Sequence, residues 1–97
     1  MKSIIVGIES RGIKTCIRII NNSSSQNNYT KFRQELIDKF KINVKGHSGC
    51  TELIGDGIDI NVVNAEKYLC FILYLDPKLK NQIMEILIKY FEFIKPK

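Results

Sequence analysis

His47, Cys50 and Glu52 stand close together in a glycine-rich stretch. A thiol beside an imidazole is the minimum for thiolate chemistry, because the ring removes the proton and the sulfur then attacks. That chemistry also needs a third group to orient the ring. Spacing supplies no such group, so no catalytic residue is assigned and the chain reads as a non-enzyme, with a small hydrolase or nuclease centred on His47 as the third-ranked alternative. Metal binding fares no better, since His47 and Cys50 offer two ligands where zinc takes three or four. Cys16 and Cys70 would have to arrive from strands, where they read as small core residues. No metal and no cofactor are expected.

The carboxylates Glu52, Asp56 and Asp59 invite a paired-acid or Mg²⁺ reading but match no motif. Asp56-Gly57 is a turn pair, and Asp59 faces outward on an alternating strand. Gly46, Gly49, Gly55 and Gly57 fit neither the dinucleotide fingerprint nor the P-loop. Lys45 and His47 still place donors beside flexible backbone amides, which keeps nucleotide binding as a possibility for this loop.

Lys and Arg outnumber Asp and Glu by 15 to 10, a net charge of +5. Net positive charge permits attraction to nucleic acid, and its distribution decides where. Arg11, Lys14 and Arg18 on the first hairpin are the best phosphate-contact candidates, against the plainer reading of a solvated strand face. Tyr68 and Tyr74 share a strand face on which bases could stack, but Phe71 points the other way and no glycine-aromatic-basic run accompanies them.

These residues must be held by one small domain, residues 1–97, with 44% hydrophobic and 26% charged residues. That composition excludes collagen-like, disulfide-scaffold and wholly disordered chains. Three widely spaced cysteines form neither a disulfide framework nor a CxxC pair, so a reducing, cytoplasmic setting is expected. Glu9 and Arg11 cut short the apolar start that a secretory signal needs. The longest apolar run, Tyr68 to Leu75, falls well below the ~18 residues of a membrane span, so a soluble protein without membrane association is expected.

Residues 3–9 and 13–20 read as a β-hairpin, with Ile13, Thr15, Ile17 and Ile19 on the core side of the second strand. Residues 21–28 carry no apolar side chain and read as a flexible surface loop. A helix is expected from Tyr29 to about Lys41, with Phe32, Leu36, Ile37 and Phe40 in one stripe. Residues 43–57 read as a glycine-rich loop around a short strand at 51–54. Strands follow at 58–63 and 68–75, the latter apolar on both faces as befits a sheet centre. Asp76-Pro77 starts a helix that should run to about Lys95, before Pro96.

The order is β-β-α, a short uncertain strand, then β-β-α: an α+β sandwich with a mostly antiparallel sheet and two helices on one face. A permuted ferredoxin-like topology is one arrangement with this order. Two helices on one face leave the other without cover, where the central strand presents either Tyr68, Cys70, Ile72 and Tyr74 or Leu69, Phe71, Leu73 and Leu75. Tyr68, Ile72 and Tyr74 are taken as the interface candidates. The last helix adds an apolar arc of about 180° with Met84, Ile88 and Phe91 beyond its core stripe, wider than packing on one sheet requires. Such surplus marks an interface, most simply with a second copy. The alternative is that residues 43–57 fold over the open face of a monomer. The function expected is that of a basic interaction module, of inhibitor, immunity or adaptor type, binding a protein partner as a homodimer. The second expectation is a nucleic-acid or nucleotide binder using the hairpin basics and the 45–57 loop.

Overall fold

The computed structural model describes residues 2–93. Seven strands and two helices follow the order β1 (Ser3–Arg11), β2 (Lys14–Ile20), α1 (Ser23–Lys39), β3 (Asn43–His47), β4 (Cys50–Gly55), β5 (Ile58–Asn64), β6 (Tyr68–Leu75), α2 (Pro77–Tyr90) and β7 (Phe91–Phe93). The strands form one sheet in the order β3-β4-β5-β6-β2-β1-β7. All pairings are antiparallel except β1 with β7. The chain is therefore α+β with a mostly antiparallel sheet. This order does not by itself establish the permuted ferredoxin-like arrangement expected from the sequence.

Strand alternation sorts side chains between two faces. In β6, Leu69, Phe71, Leu73 and Leu75 are buried, while Cys70, Ile72 and Tyr74 between them are only half-buried. The buried set joins Ile17 and Ile19 of β2, Leu53 of β4 and Ile60 of β5 in one core. Phe32 and Leu36 of α1 and Ile83, Ile86 and Leu87 of α2 belong to the same core. Four aromatic rings form its centre: Phe71 lies 5.6 Å from Phe32, 5.7 Å from Tyr29 and 5.5 Å from Phe91, centroid to centroid. Such offset and edge-on pairs add to what their burial alone supplies.

Three segments depart from the sequence reading. Helix α1 starts six residues before Tyr29, at Ser23, in the stretch expected to be a loop. Asn22 accepts from the Ser25 amide at 2.8 Å, and the Ser25 hydroxyl accepts from the Asn22 amide at 2.8 Å. This reciprocal cap satisfies two orphan donors and lets a polar sequence enter the helix. Ser25 and Asn28 are then buried, and Asn28 Nδ2 donates to Ser3 Oγ at 2.8 Å.

Residues 43–57 do not fold over the sheet. They extend it edgewise as the β3–β4 hairpin, with β4 paired to β5. The tight turns need Gly49 at φ +81° and Gly57 at φ +74°, backbone that L side chains rarely adopt.

Helix α2 ends at Tyr90, and Phe91 enters a strand against Ser3. Phe91, expected on the exposed flank of the helix, is completely buried. Within α2, Leu79, Ile83, Ile86, Leu87 and Tyr90 span about 100°, the width that packing on one layer requires, and Met84 and Ile88 carry the apolar arc beyond it. Residues 94–97, where the helix was expected to end, lie outside the described residues. Ile13 is a smaller departure: it sits in the β1–β2 turn at 63% exposure rather than in the core.

Among the described residues, no helix is long and apolar enough to cross a membrane.

Candidate interaction face

Register carries side chains into rows across the face opposite the core. One row runs Asn43, Ile54, Asp59, Tyr74, Lys14, Arg11. The next runs Lys45, Glu52, Asn61, Ile72, Cys16, Glu9. The third runs His47, Cys50, Val63, Cys70, Arg18, Gly7. At one end of the seam between β6 and β2, Tyr68 lies opposite Ile20. The middle of this face is thus apolar, with Ile20 at 41% and Tyr68 at 37% exposure.

The rows divide the basic residues chosen from the sequence. Arg11 and Lys14 are cross-strand partners, and Arg18 lies further along β2. The Arg18 guanidinium sits 5.0 Å from the centre of the Tyr68 ring, a cation–π contact that also shields Gly7. Arg11 pairs with Glu9 at 3.2 Å, with both side chains mostly in water. Lys45 and His47 lie on β3, four strands from β2 and hence roughly 19 Å away at the usual strand spacing. The structure therefore brings together Arg11, Lys14 and Arg18, and leaves Lys45 and His47 in a separate place.

Of the apolar residues chosen for an interface, Tyr68, Ile72 and Tyr74 share the middle of this face. Met84 is half-buried against the core, Ile88 is 44% exposed on α2, and Phe91 is unavailable. Ile20, Cys16, Val63 and Cys70 complete the apolar middle. Cys16 and Cys70, read from the sequence as small core residues, stand half-buried on this face instead. The roles of Val63 and Cys70 required the strand pairing.

His47 and Glu52 meet in the β3–β4 hairpin, with Nε2 3.1 Å from Oε1. Glu52 also bonds to Asp59, its diagonal neighbour on β5. Hydrogen bonds from Asp59 and then His47 hold the Glu52 carboxyl below the usual range. Asp59 moves the opposite way, raised first by burial and then by Glu52. As pH rises Glu52 therefore loses its proton before Asp59, whose Oδ1 is buried and has no hydrogen-bond partner. The sequence raises a paired-acid reading of Glu52, Asp56 and Asp59 that lacks a motif; the diagonal that joins Glu52 to Asp59 is set by the β4–β5 register. Asp56, by contrast, is exposed in the turn that Asp56-Gly57 predicts.

Cys50 faces His47 across the hairpin, but the His47 Nε2 engages Glu52. A cavity of about 250 Å³ beside them is lined by Tyr29, His47, Gly49, Cys50, Thr51, Val62, Asn64 and Leu69. Burial raises the Tyr29 phenol, against the opposing charge of Arg33, whose guanidinium lies 5.4 Å from the ring centre. Among the described residues, no three His, Cys, Asp or Glu side chains are grouped to hold a metal ion. The arrangement presents an apolar surface bordered by charge. It joins no nucleophile to a base.

No family model, curated protein or solved structure matches this chain.

Proposed function

We propose that the protein is a non-enzymatic interaction module that docks through the sheet face opposite its core. On this reading both helices cover the same face of the sheet, and the other face is the working surface. One observation carries it: Ile20, Tyr68, Cys70, Ile72 and Tyr74 form a continuous apolar strip that no element among the described residues seals from water. Side chains of this type, bordered by Lys14, Arg18 and Asp59, have the apolar centre and polar rim of a protein interface. An inhibitor, immunity or adaptor protein works this way, by occupying another macromolecule's surface. The three cysteines are all unpaired, which supports a reducing, cytoplasmic setting.

The test is a pair of glutamate substitutions. Ile72→Glu should abolish capture of the partner from the native host, read by affinity pull-down and mass spectrometry. Ile88→Glu on α2 should leave it intact. Equal capture by both variants refutes docking through this face.

A second reading is favoured by Arg18 over Tyr68, a stacking platform with phosphate-binding neighbours in Arg11 and Lys14. Glu52 and Asp59 restrict a phosphate track to the β2–β1 side. Titration with single-stranded RNA and DNA at two salt concentrations separates the readings, since binding through these cations must weaken as salt rises.

A further inference from the structure

We infer that the occupant of this face is a second copy of the chain, related by a two-fold axis that runs parallel to the strands between β6 and β2. The inference rests on the docking-face reading and names its partner. Its basis is the distribution of charge. Glu52 and Asp59 border the apolar strip on the β4–β5 side, and Arg11, Lys14 and Arg18 border it on the β2–β1 side.

A rotation about the stated axis exchanges those two borders while preserving each row. Asp59 and Arg11 belong to the same row and stand equally far from the axis, one strand beyond β6 and one beyond β2. Each Asp59 therefore meets Arg11 of the other copy, a charge-assisted pair across the interface. Ile72 meets Cys16, Tyr68 meets Ile20, and the Asn61 amide meets the Glu9 carboxylate by the same operation. A two-fold axis across the strands would instead lay acid against acid and base against base. The surface is thus complementary to itself under one symmetry operation, which is what an isologous interface requires. Arg11 is free to exchange its pairing, because its contact with Glu9 is 84% and 68% exposed at the two side chains.

Sedimentation equilibrium on the whole chain tests this, with circular dichroism to confirm folding. The wild type should be dimeric, and Ile72→Glu monomeric. Arg11→Asp and Asp59→Arg should each raise the dissociation constant about tenfold, the scale of a close interfacial charge pair, and the double variant should recover most of that loss. Arg11 is exposed in the subunit, so Arg11→Asp still decides the matter if Asp59→Arg fails to fold. A monomer at high micromolar concentration overturns the inference, as does a dimer that Arg11→Asp or Ile72→Glu leaves unchanged. A monomeric wild type whose Ile72→Glu variant loses a host partner overturns the second copy while leaving the docking face in place.

Discussion

Glu35 on α1 accepts a hydrogen bond from the Tyr90 hydroxyl at the last turn of α2, at 2.7 Å. Lys89 Nζ donates to the same carboxylate at 2.7 Å, and Lys39 approaches it at 3.4 Å. One carboxylate thus fastens the two helices to each other where their stripes leave the core.

These partners hold the Glu35 pKa at about 2, chiefly through Lys89 and then Tyr90. A depressed carboxyl stabilises the fold above its unfolded pKa and ceases to do so as pH falls through its folded value. Urea midpoints of the wild type should therefore drop between pH 4.5 and 2 more steeply than those of Glu35→Gln. At pH 7 the variant should lose about 1 kcal/mol, the upper range for ion pairs partly open to solvent. Parallel midpoint curves for the two proteins would count against the helix fastening.

Asp59→Asn should behave in the opposite sense. The raised carboxyl of Asp59 costs stability as pH climbs above its unfolded value, whereas an amide still donates to Glu52 without carrying charge. The variant should match or exceed the wild type at pH 7 by up to about 1 kcal/mol, and the gain should vanish in acid, where wild-type Asp59 is protonated as well. Denaturant titrations at pH 3 and pH 7 measure it. A variant weaker than wild type at pH 7 contradicts the raised carboxyl of Asp59.

Asn22→Ala should destabilise the protein by about 1 kcal/mol, the usual cost of losing an N-cap. Helical circular dichroism should fall at intermediate temperatures, because residues 23–28 have little tendency of their own to stay helical. Asn22→Asp retains the acceptor and should cost only a few tenths of that. Equal losses for both variants would show that the side-chain oxygen is not what starts the helix.

Phe71→Ala should cost about 3–5 kcal/mol, as expected for removing a buried aromatic ring. Phe71 touches Tyr29, Phe32 and Phe91, so the cavity would open among groups from α1, β6 and β7 at once. The loss approaches the whole stability of a small domain. Denaturation followed by tyrosine fluorescence gives the value.

How far the fold was legible depended on whether hydrophobic period or pairing decided the outcome. The stripe Phe32, Leu36, Ile37 and Phe40 announced α1, and the alternation in β2 and β6 announced the sheet. The polar run 21–28 gave no period at all, and its helix follows from the Asn22–Ser25 cap and the buried Asn28–Ser3 contact. Phe91 fitted the stripe of α2 in sequence, yet its backbone pairs with Ser3, a partner 88 positions away. Of the charged cluster, His47 with Glu52 was visible as a short spacing. Asp59 was not, because its neighbour is set by the β4–β5 register.

The placement of β7 bears on how the molecule is made. Strand β1 has β2 on one side and, among the described residues, only residues 91–93 on the other. The β1–β2 hairpin can form early in synthesis, yet its outer backbone stays bare until residues 91–93 have been made. An uncapped rim of this kind adheres readily to other nascent strands. Release before Phe91 therefore yields a sticky product, because the segment that seals this edge is made long after the edge itself.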